Sequence, residues 1–228
     1  MHIEPGLVEA GKLALGYATA AGAVTGVLAT ALAAARTRGV FSLVARSLLT
    51  TALVLCFFEI LPHRPVGVSE VHFILGSTLF LLFGAAPAAV GLALGLLVQG
   101  LVFAPFDLPQ YGMNVTTLLV PLFAIAALSR RVIRPDTPYV AVGYRQALVL
   151  STTYQGGVVA WVGFWAFYGQ GFGMANVQSI VTFGVAYLGV VLIEPLVDLG
   201  VLAVAKALAR APASALFERR LYQAEGTV

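Results

Sequence analysis

Charge is scarce in this sequence. Asp, Glu, Lys and Arg make up 10% of its 228 residues while apolar residues make up 60%, which excludes a soluble globular domain, where about a quarter of residues are charged. Cysteine is nearly absent. The single Cys56, in "TALVLCFFEIL", excludes an intrachain disulfide or a thiolate metal cluster and reads as a small buried hydrophobe. No P-loop is present, so the chain does not hydrolyse ATP by that route. With only three histidines, it has neither the His/Cys/Asp spacing of a soluble zinc site nor a Ser and His pair placed as an intramembrane protease dyad. Catalysis has no visible home, and the expected class is not an enzyme.

What is present is apolar sequence, recurring along the whole length and broken only by short loops. A bilayer core of about 30 Å needs about 20 apolar residues of helix. Seven stretches meet or approach that, at residues 7–35, 40–61, 69–83, 86–103, 113–128, 141–168 and 176–209. The expected fold is therefore all-α, a polytopic transmembrane helix bundle of about seven spans forming one integral membrane domain over residues 1–228. Residues 1–6 are an external N-terminal segment and 210–228 a tail. "MHIEPGLVEAGK" lacks a basic n-region and the apolar run behind it is too long for an h-region, so no cleavable signal peptide is expected.

Lys and Arg in loops mark the cytoplasmic side. Arg36, Arg38 and Arg46, then Arg130, Arg131, Arg134 and Arg145, then Lys206, Arg210, Arg219 and Arg220 fall on alternate connections, whereas the other face carries only Lys12 and Arg64. This places the N-terminus outside and the C-terminus in the cytoplasm. Met1, His2, "PHRPVGVSEVH" and "FAPFDLPQYGMN" then share the external face. The basic balance follows from topology and implies no nucleic-acid partner.

A free α-amine, the first peptide nitrogen and the imidazole of a histidine at position two form fused chelate rings around one ion. Such nitrogens favour a flat arrangement suited to Ni(II), Cu(II) or, less comfortably, Co(II). Methionine is normally removed only before a small residue, so Met1 should keep its amine beside His2. His72 and His63 are the only other histidines, and either could complete the square. Intramembrane polar residues tend to mark function: Gln99 and Asn114 could orient a ligand histidine or tie helices together. Glu194, about 27 Å along the seventh span from Asn176 at 1.5 Å per residue, and Asp198 four residues on read as a solvated helix end. The first span, "GYATAAGAVTGVLATALAAA", places small residues four apart, Ala29 and Ala33 among them, as a docking face for a partner membrane protein or a neighbouring span.

"MHIEPG" ahead of a span, then "GVSEVHFILGSTLFLLFGAAPAAVGLALGLLVQGLVF", then "YGMNV" resemble the CbiM/NikM family, the substrate-binding membrane components of nickel and cobalt energy-coupling factor transporters. The likeness runs in order to about Leu128. It implies a seven-helix protein with an external N-terminus, holding Co(II) or Ni(II) as transported substrate in a square of four nitrogens from the Met1 amine, the backbone and imidazole of His2, and the imidazole of His72. Asn114, Gln99 and Ser69 would support those ligands. The implied partners are a coupling transmembrane component and ATPase subunits, with a small auxiliary membrane subunit as a further candidate, in a bacterial or archaeal cytoplasmic membrane. The chain departs from the family's commonest pattern at Pro5 and in the Ser69-to-His72 spacing, one residue wider. "APFDLPQYGMN" is also bulkier than usual. A competing reading keeps the fold but makes the chain a receptor for a small organic cofactor, with "AWVGFWAFYGQGFG" lining the pocket.

Overall fold

The computed structural model describes Ile3, residues 6–135 and residues 137–207. Met1, His2 and the tail 210–228 lie outside the described residues. Among the described residues, seven α-helices form the bundle: α1 Leu13–Arg38, α2 Val40–Glu59, α3 Gly76–Phe83, α4 Ala85–Val102, α5 Tyr111–Val132, α6 Tyr144–Gln170 and α7 Met174–Ala207. Six of them are long and apolar enough to cross a membrane, so the chain is a multi-pass membrane protein. Leucines and valines such as Leu28, Leu32, Leu192 and Leu196 are exposed on α1 and α7, as expected where a helix faces lipid rather than water.

The exception is the expected third span. Of residues 69–83, only the eight from Gly76 to Phe83 are helical, about 12 Å of helix at 1.5 Å per residue and too short to span. The preceding residues form a hairpin instead: β1 Arg64–Val66 pairs antiparallel with β2 Ser69–Val71, with Val66 opposite Ser69. Its two-residue turn starts at Gly67, φ +64°, the positive value that such turns fill with glycine. Between β2 and α3 the chain stays irregular, and Leu75 adopts φ 54°, ψ 31°, a left-handed conformation that a residue with a Cβ rarely takes.

Glycine permits a close contact between α1 and α5. A Cβ on Gly112 would lie 2.8 Å from the backbone of Gly16, so α1 and the start of α5 touch backbone to backbone. That crossing brings the first residues of α1 alongside Met113 and Asn114. At the opposite end of the bundle, Arg46 is almost wholly buried and donates through Nη1 to the carbonyl of Phe83 at 2.9 Å. This satisfies a C-terminal carbonyl of α3 where the helix breaks at Gly84, φ +89°.

Two expectations need correction. Glu194 and Asp198 are not at a solvated helix end: they are 0% and 1% exposed. α7 runs for 34 residues, about 51 Å, so distance along it does not measure depth in a bilayer of about 30 Å. Cys56 is exposed rather than buried, lining an apolar surface pocket with Phe57, Phe73 and Leu75; in a membrane protein the outward face is as apolar as the core, so hydropathy cannot separate the two.

Candidate metal centre

The chain enters α1 through a segment clamped at several points. Ile3 is 0% exposed and packs with Val8, Met113 and Trp165, burial that contributes roughly 1.5–3 kcal/mol. Its backbone forms an antiparallel bridge to Ser69 on β2, and its N–H donates to Asn114 Oδ1 at 2.9 Å. The chain then turns through Gly6, φ +85°, and the Leu7 carbonyl accepts from Gln170 Nε2 at 2.8 Å. Lys12 Nζ donates to the Tyr168 and Gly169 carbonyls at 3.3 and 3.1 Å. These are among the last carbonyls of α6, where a cation complements both the unpaired oxygens and the helix dipole.

Of the residues expected at a metal site, the structure therefore brings Ser69 and Asn114 together around Ile3, the residue directly after His2. His72 lies three residues beyond Ser69, 2% exposed, with its ring edge-on to Phe58 at 4.7 Å between centroids. The next residue of α2, Glu59, accepts from Gln99 Nε2 at 2.8 Å. Gln99 thus joins the polar groups near the end of α2, but through Glu59, which the sequence did not single out. His63 is exposed and near its own loop, with Nδ1 3.3 Å from the Leu61 carbonyl. Ala29 and Ala33 are exposed on α1, and Ala33 edges a cavity of about 430 Å³ that is also lined by Arg38, Arg46 and Arg130. Among the described residues, no three His, Cys, Asp or Glu side chains converge as a metal cluster; a nitrogen square built partly on the first two residues would need none.

The aromatic end of α6 covers the N-terminal segment. Trp165 is fully buried, packs on Ile3 and Val8, and meets Trp161 and Tyr168 edge-on. Trp161 donates to Thr116 Oγ1 at 3.1 Å. Gly169 is a further contributor absent from the sequence reading. Its signal was the glycine itself, one residue before the end of a long aromatic helix, where a strand or loop can approach closely.

Asn114→Ala leaves the buried Ile3 N–H without its acceptor, a loss of about 1–3 kcal/mol. Tryptic cleavage after Lys12 in detergent-solubilised protein should then quicken about tenfold, since cleavage of a reclosing segment follows the open population. Parent-like cleavage would show that Asn114 does not hold the segment.

Residues 2–212 match the family model described as CbiM, cobalt uptake substrate-specific transmembrane region. A crystal structure of a transition metal transporter superposes with a TM-score of 0.69 at 17% identity, covering 92% of this chain and 95% of that one. A truncated transition metal transporter gives 0.58 at 18% identity, covering 89% and 99%. At such identities the structural likeness is one of fold. No curated protein matches the chain.

Proposed function

This chain belongs to the CbiM family, the cobalt uptake substrate-specific transmembrane region, and from that premise we propose that it is the substrate-capturing component of an energy-coupling factor transporter. As a family member it is a membrane component of transition metal uptake and not an enzyme. In the proposed reading it takes Co(II) or Ni(II) from outside the cytoplasmic membrane of a bacterium or archaeon. A coupling transmembrane component and separate ATPase subunits then drive release inwards, with the exposed α1 face around Ala29 and Ala33 available to a membrane partner.

The observation that carries this reading is the seat of Ile3. Its peptide is gripped by Asn114 and bridged to Ser69, so the backbone that directly follows His2 is held against the strand that leads to His72. Three nitrogens from Met1 and His2 and one from His72 make a donor set for a flat d-block ion. Holding the segment before the ion arrives cuts the ordering cost of binding. Asn114 acts on the backbone next to the chelate, as outer groups commonly orient ligands. Gln99, paired with Glu59, adds polarity close to Phe58 and His72.

The test is calorimetry on detergent-purified protein with its native N-terminus, titrated with Ni(II) and with Co(II). One ion bound tightly per chain is the expected result. No heat with either ion would overturn the metal reading and move the search to an organic ligand.

A further inference from the structure

We infer that Glu194 of α7 is a positioning residue for His72, holding the loop that carries the imidazole and thereby the fourth corner of the nitrogen square. The inference rests on the proposed role of His72 as a ligand. Glu194 lies 120 residues beyond the loop it grips. One carboxylate oxygen accepts the N–H of Ile74, two residues after His72. The other oxygen accepts from Gln155 Nε2, whose own Oε1 accepts from Tyr187 at 2.7 Å. Glu194, Gln155 and Tyr187 are all 0% exposed, so water does not compete for these bonds.

One turn further along α7, Asp198 repeats the grip on α3 itself. It accepts from Ser77 Oγ at 2.6 Å and from Thr78 Oγ1, while Ser77 also bonds Ser151 at 3.3 Å. Two carboxylates on one face of α7 therefore hold the N-terminal end of the half-helix, where unpaired N–H groups and the helix dipole favour negative charge.

The loop needs holding. Leu75 has φ 54°, a strained value for a branched side chain that persists only where surroundings over-determine it. Residues 72–75 belong to neither strand nor helix, and the Leu75 carbonyl already accepts the first bond of α3, from the Leu79 N–H at 2.9 Å. Phe58 touches one edge of the imidazole, but the backbone on the C-terminal side of His72 is fixed by Glu194. Without that acceptor, Leu75 can relax towards negative φ and the imidazole shifts with it.

Glu194→Gln and Glu194→Ala, each alone and with His72→Ala, test this on the full-length protein. Reaction of His72 with diethyl pyrocarbonate, read by peptide mass spectrometry without metal and normalised to the exposed His63, should rise in the order parent, Gln, Ala. Ni(II) affinity should fall about 10–100-fold in Glu194→Ala, the usual effect of losing an outer support. The Ni(II) absorption bands should shift towards those of His72→Ala, and Glu194→Ala should add nothing once His72 is gone. A merely structural residue would lower the melting temperature while leaving the bands in place and its effect additive. Should the Ala variant not fold, the Gln variant carries the test through its intermediate His72 reactivity. Parent-level reactivity, or losses that add to those of His72→Ala, would overturn the inference. If the parent binds no Ni(II), the ligand role itself fails, a result separate from the reactivity of His72.

Discussion

One alanine placed ahead of Met1 should reduce Ni(II) and Co(II) binding by more than about a hundredfold, because even outer support groups of a metal site are worth about 10–100-fold and this change removes a proposed ligand. The extension converts the α-amine to an amide and pushes the new amine about 3.5 Å along the chain. It cannot slide back into register. Ile3 is fully buried, bridged to Ser69 and bonded to Asn114, and shifting it by one residue would expose that side chain and place Glu4 or His2 against Trp165 and Met113. The helical bundle should be untouched, so melting of the metal-free protein should match the parent while the calorimetric signal disappears. Full affinity in the extended protein would show that the amine is not a ligand and would leave His2 and His72 to explain any site.

Gly169→Ala should strongly damage the site. The added Cβ would stand 2.2 Å from the Leu7 carbonyl oxygen, 3.0 Å from its carbon and 2.9 Å from Val8 Cγ2. The nearest neighbour is backbone, so no side-chain rotation relieves the clash. The segment must lift from α6, losing the bond from Gln170 to Leu7 and disturbing the seat of Ile3. Displacement of about 1 Å in a positioned group can cost about a hundredfold, and a loss of that order in Ni(II) affinity is expected, with little change in helix content. Gly156→Ala is the control on the same helix: nothing lies within 4 Å of its added Cβ, so binding should persist and stability rise by roughly 0.5–1 kcal/mol. Equal binding by Gly169→Ala and the parent would show that the Leu7 backbone is not part of the support.

The long spans were legible because a bilayer demands runs that few soluble proteins contain, and α1, α2 and α4 to α7 lie within a few residues of the apolar stretches. α3 was not legible as a half-helix. An apolar run buried by protein reads the same as one buried by lipid, and the run from Ser69 to Phe83 hides a change of backbone state in its middle. Alternation around Gly67 in "VGVSEV" is a hairpin signal overshadowed by the hydropathy. At the candidate site, Asn114, Gln99 and His72 were visible as polar residues in or beside apolar runs, and Ser69 only through the family resemblance. Glu59 and Gln155 were not, because their value lies in partners 40 and 39 positions away. Glu194 was visible but misplaced, since linear distance along a helix longer than the bilayer is thick says nothing of its neighbours.

The grip of α7 on α3 also constrains how such a chain can be made. Synthesis delivers Ile74, Ser77 and Thr78 about 120 residues before the carboxylates that accept their hydrogens. A half-helix of eight residues cannot rest in a bilayer with those donors facing hydrocarbon. Biogenesis must therefore keep this stretch at the membrane surface or against the insertion machinery until the last helix arrives, so that the loop bearing His72 is completed only when the final span is in place.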